Sequence, residues 1–112
     1  MIEKTLNYEK SFLKQQSKLL KNGSITQQQI DETIELYKCD KTNHKLYYHS
    51  ICYKRDKHRI SIAVLGTNQK YKILLAEYEK VSNFIFIGTH AKYDRLNKDC
   101  WFKVSIAKIK FY

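Results

Sequence analysis

The 112-residue sequence contains no proline, three glycines and three cysteines, and only 11 acidic residues stand against 21 lysines and arginines. Each shortage removes a class of protein. Without proline or low-complexity tracts no linker is indicated, and no internal repeat divides the chain. The cysteines, Cys39, Cys52 and Cys100, are odd in number and none sits in a CxxC pair, which argues against a disulfide framework and for reduced thiols in a cytosol. No stretch approaches the roughly 20 consecutive apolar residues of a membrane span, and Met1-Ile2-Glu3-Lys4 lacks the basic-then-apolar order of a secretion signal. Glycine-rich phosphate loops, HExxH pairs and serine elbows are absent as well. With 43% hydrophobic residues, the expectation is one cytoplasmic domain spanning residues 1–112, built on a single modest core.

What the sequence does have is positive charge, unevenly placed. Residues 1–40 carry six lysines and six acidic residues, whereas residues 41–112 carry fifteen lysines or arginines and five acidic residues, so the whole net charge of +10 belongs to the second part. Such a field attracts polyanions: nucleic acid first, an anionic membrane second, an acidic protein third.

Hydrophobic periodicity predicts an α+β fold. Ile2, Lys4, Leu6 and Tyr8 alternate as a short opening strand. From Glu9 the period lengthens, with Phe12, Leu13, Leu19 and Leu20 as the apolar stripe of a helix that Asn22-Gly23 ends. Thr26 and Gln29 form a capping-box pattern opening a second helix, whose inner face carries Ile30, Ile34 and Tyr37. Beyond the polar connection Lys41 to Lys45, Leu46 to Tyr53 reads as strand or extended loop. Ile60, Ile62 and Val64 then alternate in a strand, Gly66-Thr67-Asn68 supplies a turn, and Tyr71, Ile73 and Leu75 form the next strand. Lys80 to Asn83 reads as a second turn before a strand from Phe84 to Ile87. The segment from Cys100 to Tyr112 is read as a further strand because aromatic and β-branched residues dominate it, although a helix with Phe102, Ile106 and Ile109 inward also fits.

Candidate chemistry gathers after that fourth strand, in Gly88-Thr89-His90-Ala91-Lys92-Tyr93-Asp94-Arg95. His90 suits acid or base work because an ordinary imidazole titrates near pH 6.5. By alternation it is expected to share a face with Phe84 and Phe86. A half-buried histidine bonded to a backbone carbonyl has the same signature. Asp94 would orient or charge that histidine, or pair with Arg95, and Tyr93 would stack on a base or donate a proton. A second cluster, Tyr53-Lys54-Arg55-Asp56-Lys57-His58-Arg59, places four cations in seven residues beside an aromatic, a composition suited to phosphate contact and also to an exposed basic turn. Lys72 interrupts an apolar strand, where a cation either meets a phosphate or lies on a wet face. Cys39, His44, His49 and Cys52 match no common zinc spacing, and independent thiols and imidazoles are the simpler reading.

These residues, taken together, resemble the RelE/ParE superfamily of bacterial type II toxins, in particular its HigB-like and YafQ-like ribosome-dependent mRNA endonucleases. The resemblance is carried by Leu46-x-x-His49, by Tyr71-Lys72, and above all by Gly88-Thr89-His90-x-x-Tyr93-Asp94. The order of elements also agrees with the family's β-α-α-β-β-β layout, a helical hairpin packed on a small antiparallel sheet, with the C-terminal strand as an addition. The resemblance implies a toxin that cuts mRNA in the ribosomal A site without metal or other cofactor, leaves a 2′,3′-cyclic phosphate, and is restrained by a cognate antitoxin. It implies catalytic roles for His90, Tyr93, Asp94 and His49. Lys72 stands at a cation position that is often arginine, giving a point charge in place of a bidentate fork. Lys54, Arg55, Lys57, Arg59 and Arg95 are the expected phosphate-binding cations. The alternatives kept open are a ParE-like toxin acting on gyrase and a non-enzymatic basic module that binds RNA or the ribosome.

Overall fold

A computed structural model describes residues 4–51 and 58–89 of the chain. The elements run β1 (Thr5–Tyr8), α1 (Lys10–Lys21), α2 (Gln27–Asp40), a 3₁₀ turn (His44–Leu46), β2 (His49–Ser50), β3 (Arg59–Ala63), β4 (Tyr71–Glu77) and β5 (Val81–Thr89). Five strands form one sheet in the order β1-β5-β4-β3-β2. It is antiparallel except at one edge, where β1 lies parallel to β5 with Tyr8 beside Phe84. The stretch after Leu46 that the sequence leaves open is a left-handed turn at Tyr47 followed by the two-residue edge strand β2.

Local chemistry accounts for the helix ends. Gly23, at φ 75°, closes α1: its N–H reaches the Leu20 carbonyl, and the Ser24 N–H reaches that of Leu19 at 3.0 Å. This reciprocal pair satisfies carbonyls that would otherwise be orphaned, and glycine adopts the required left-handed backbone without a Cβ penalty. At α2 the Thr26 side chain accepts from the Gln29 N–H while Gln29 Oε1 accepts from the Thr26 N–H, the capping box expected from sequence. Phe12, Ile30 and Tyr37 are buried, and Leu19, Leu20 and Ile34 pack partly against them. Leu13 departs from the expected stripe and is 47% exposed.

The core lies between the helices and one sheet face, and it contains Ile60, Ile62 and Val64 of the β3 segment, Tyr71, Ile73 and Leu75 of β4, and Phe84 and Ile87 of β5. Phe84 is its aromatic centre. Tyr8 stacks on it at 5.1 Å, Phe12 is tilted at 5.7 Å and Tyr37 meets it edge-on at 5.9 Å.

Two expectations about β5 are corrected. The strand begins at Val81, not Phe84, because the hairpin turn is shorter than the polar run suggests: the Tyr78 N–H already bonds to the Val81 carbonyl at 2.8 Å. Phe84 and Phe86 also lie on opposite faces, since the register jumps between Leu74 paired with Phe86 and Leu75 paired with Phe84. Ile85 is therefore the extra residue of a β-bulge, which inverts the alternation after it. Its carbonyl accepts from the Ser11 hydroxyl at 2.5 Å, and the Phe84 carbonyl accepts from the Glu9 N–H at 2.9 Å. The start of α1 thus holds the bulge in place.

Candidate functional site

Register places the described candidate residues on the sheet face turned away from the helices. Residues directly opposite in a ladder project to the same side, so His49, Ser61, Leu74 and Phe86 form one row across the far face. Ala63, Lys72 and Gly88 form a second row, and Arg59, Ala76 and Asn83 a third. His49, Lys72 and Arg59 therefore share a face. Strand geometry sets the Cα atoms of His49 about 8 Å from Arg59 and about 12 Å from Lys72, and those of Arg59 and Lys72 about 14 Å apart. One phosphate cannot meet all three side chains at close range, but two consecutive nucleotides span such distances.

His49 is exposed at the sheet edge, and its Nδ1 lies 2.6 Å from the Tyr47 carbonyl oxygen. A carbonyl can only accept, so Nδ1 carries the proton. In the neutral ring Nε2 is then the basic nitrogen, and Tyr47 holds the ring in the tautomer suited to removing a proton.

Lys72 corrects an expectation. It lies on the central strand but on no wet face, with 4% of its surface exposed. Its ammonium donates to Gln69 Oε1 at 3.4 Å and sits 5.6 Å from the centroid of the Tyr47 ring. The cross-strand partner of Lys72 is Gly88. A Cβ on Gly88 would meet the Phe86 ring at 2.5 Å, so the missing side chain lets that ring fold over the backbone. Leu74 and Phe86 of the first row form a small apolar cluster with Ile51. The Ser61 hydroxyl, wholly buried, has no hydrogen-bond partner among the described residues.

A polar cluster that sequence reading missed stands at the far end of β4. The Glu77 carboxylate, 11% exposed, accepts from Tyr37 at 2.5 Å, from Tyr48 and from Lys41 at 3.0 Å, with Lys4 at 3.6 Å; Tyr37 also bonds to Ser82 at 2.7 Å. Burial pushes the Glu77 carboxyl up, but the hydrogen bonds from Tyr37, Tyr48 and Lys41 and the charge of Lys4 outweigh it and hold the group below its ordinary value. Burial and the carboxylate raise both tyrosines. Lys41 and Tyr48 bracket the segment that carries Tyr47 and adjoins His49, so Glu77 pins both ends of the loop presenting the candidate base. The sequence signal was a lone carboxylate ending an apolar strand in a strongly basic half.

Of the other candidates, Lys54, Arg55, Lys57, His90, Tyr93, Asp94 and Arg95 lie outside the described residues, as do Cys52 and the C-terminal strand expected from Cys100. Cys39 is exposed, and no three histidine, cysteine or acidic side chains gather as a metal site among the described residues. No helix there is long and apolar enough to cross a membrane.

No protein-family model matches the sequence, and no curated protein matches it. Solved structures do resemble it. A copper-bound mutant toxin from Helicobacter pylori superposes with a TM-score of 0.65 at 22% identity, covering 82% of this chain and 98% of the other. The toxin–antitoxin complex DinJ-YafQ from E. coli gives 0.65 at 16% identity, covering 81% and 97%. YafQ from E. coli strain BL21(DE3) gives 0.63 at 15%, covering 80% and 97%. Two helices packed on a five-stranded mixed sheet are thus the RelE-like toxin fold.

Proposed function

We propose that this chain is the toxin of a type II toxin–antitoxin pair and a metal-independent endoribonuclease that cuts mRNA on the ribosome in the cytoplasm. The observation that carries the reading is His49, an exposed imidazole whose Nδ1–H is committed to the Tyr47 carbonyl, on the same sheet face as Lys72 and Arg59. The RelE-like fold and the Gly88-to-Asp94 string support it. So does the concentration of positive charge in residues 41–112.

In the proposed reaction His49 Nε2 takes the proton of a ribose 2′-hydroxyl. The freed oxygen attacks the adjacent phosphorus, the bond to the 5′-oxygen breaks, and His90 gives that oxygen a proton. The products are a 2′,3′-cyclic phosphate and a 5′-hydroxyl. His90 directly follows Thr89, which pairs with Tyr71, the neighbour of Lys72. Asp94 orients His90, and Tyr93 stacks on a base. Lys72 acts as a charge seated beneath Tyr47, favouring the dianionic phosphorane more strongly than a solvated lysine would. Lys54, Arg55, Lys57, Arg59 and Arg95 hold the flanking phosphates, and the partner that restrains the protein is an acidic antitoxin, drawn rapidly by this positive surface.

Expression in bacteria tests the proposal. The wild-type chain should arrest growth and give cut mRNA, while His49→Gln and His90→Ala should relieve arrest with the fold intact. Undiminished toxicity in both variants would refute it, and gyrase-linked DNA breaks without RNA cleavage would point to the ParE-like alternative.

A further inference from the structure

A hollow of about 480 Å³ opens between α2, the 3₁₀ turn and the turn joining β3 to β4, within the size range of small-ligand pockets. Tyr47, Asn68 and Gln69, at φ 50°, 54° and 64°, are the non-glycine residues of positive φ among those described, and all three line it. Asparagine tolerates that conformation, whereas tyrosine and glutamine are disfavoured there and glycine would fit with less strain. Such outliers concentrate where a side chain must be presented to a ligand. What these positions keep, in place of backbone comfort, is one aromatic ring and two carboxamides.

The chemistry of the wall is that of nucleobase recognition. Tyr47 is 49% exposed, with the Lys72 ammonium near its ring, and offers a stacking surface. Lys72 occupies the Gln69 carbonyl oxygen, which leaves the Gln69 amide as a donor, while Asn68 can donate and accept. Glu32, one oxygen of which accepts from Gln28 at 2.9 Å, adds an acceptor that cannot donate when ionised. His44 and Lys45 supply cationic or polar contacts for a phosphate. The turn is held against α2 by Thr33, whose hydroxyl accepts from the Leu65 N–H at 2.9 Å, and by Gln29, which donates to the Gly66 carbonyl at 3.3 Å. Because the Tyr47 carbonyl also holds His49, the pocket and the candidate base are coupled through one residue.

We propose that this hollow holds one nucleobase of the RNA beside the scissile phosphate, stacked on Tyr47, with its polar edge bonded to Asn68, Gln69 and Glu32. The inference rests on the nuclease reading and sharpens it into a choice of cutting site.

The test titrates the purified full chain with the four ribonucleoside 3′-monophosphates and with inorganic phosphate, reading amide NMR shifts, and maps cut sites on a random RNA. The nucleoside monophosphates should shift Tyr47, Asn68 and Gln69, whereas inorganic phosphate should leave them unmoved. Tyr47→Gly, which relieves the strained backbone and removes the ring, should keep its melting temperature within a few degrees and weaken binding about tenfold. Should that variant fail to fold, Asn68→Gly reads the same loss of a base contact. Equal shifts from inorganic phosphate, or unchanged affinity in the folded variants, would overturn the pocket. RNA cleavage with cut-site choice unaltered by Tyr47→Gly would overturn the pocket and leave the nuclease. Nucleotide binding at these residues with no RNA cut would overturn the nuclease and leave a nucleotide site.

Discussion

Replacing Glu77 by alanine should destabilise the protein by about 3 kcal/mol. The carboxylate collects hydrogen bonds from Tyr37, Tyr48 and Lys41, and a hydrogen bond to a charged group contributes roughly 1.5–3 kcal/mol net. These do not simply add. Tyr37 retains Ser82, Tyr48 and Lys41 are exposed enough to regain water, and the Lys4 and Lys41 charge pairs contribute at most about 1 kcal/mol. One fully lost bond and fractions of the others give the figure, which for a chain of this length lowers Tm by about 15 °C. Urea unfolding followed by far-UV circular dichroism measures it, and a loss below about 1 kcal/mol would refute the reasoning. The sign with pH follows from the depressed carboxyl. Stability from Glu77 is fully present above its ordinary value of 4.5 and is lost as pH falls through the lower folded value. Glu77→Gln should therefore flatten the acid limb of the wild-type curve. Because Glu77 anchors the loop carrying Tyr47 and His49, the variants should also lose RNA cleavage at temperatures where they remain folded.

Other substitutions probe the far face of the sheet. Ser61→Ala should raise stability by about 0.5–1 kcal/mol, since it deletes a buried hydroxyl with no partner among the described residues; a loss above about 1 kcal/mol by the same unfolding assay would contradict this. Gly88→Ala should cost about 1–3 kcal/mol, as the new methyl group meets the Phe86 ring at 2.5 Å. Adding Phe86→Leu should recover part of that loss in a double-mutant cycle, and strict additivity would show that the two positions do not touch.

Features written in short-range chemistry were legible in the sequence. Gly23 and the Thr26–Gln29 box placed the helix ends because each acts within four residues. Alternation in β3 and β4 placed their inner faces correctly. The bulge at Ile85 was not legible, because it depends on the Ser11 hydroxyl 74 residues away, and missing it put Phe84 and Phe86 on one face. The parallel pairing of β1 with β5 is likewise a long-range choice. Leu13 looked like core from its period, yet it lies beside the stripe that Phe12 actually buries. For the site, sequence pointed to His49, Arg59 and Lys72, and register unites them on one face. It could not foresee the burial of Lys72 or the convergence of Tyr37, Lys41 and Tyr48 on Glu77, which come from segments about 29 to 40 residues distant.

The most direct test is the chemistry of the RNA ends. Purified protein, treated with a chelator and incubated with programmed ribosomes, should leave 2′,3′-cyclic phosphate and 5′-hydroxyl termini, with the rate falling at least about 100-fold in a folded His49→Gln variant. Ends bearing 5′-phosphate, cleavage abolished by the chelator, or a His49→Gln rate equal to that of wild type would contradict the account.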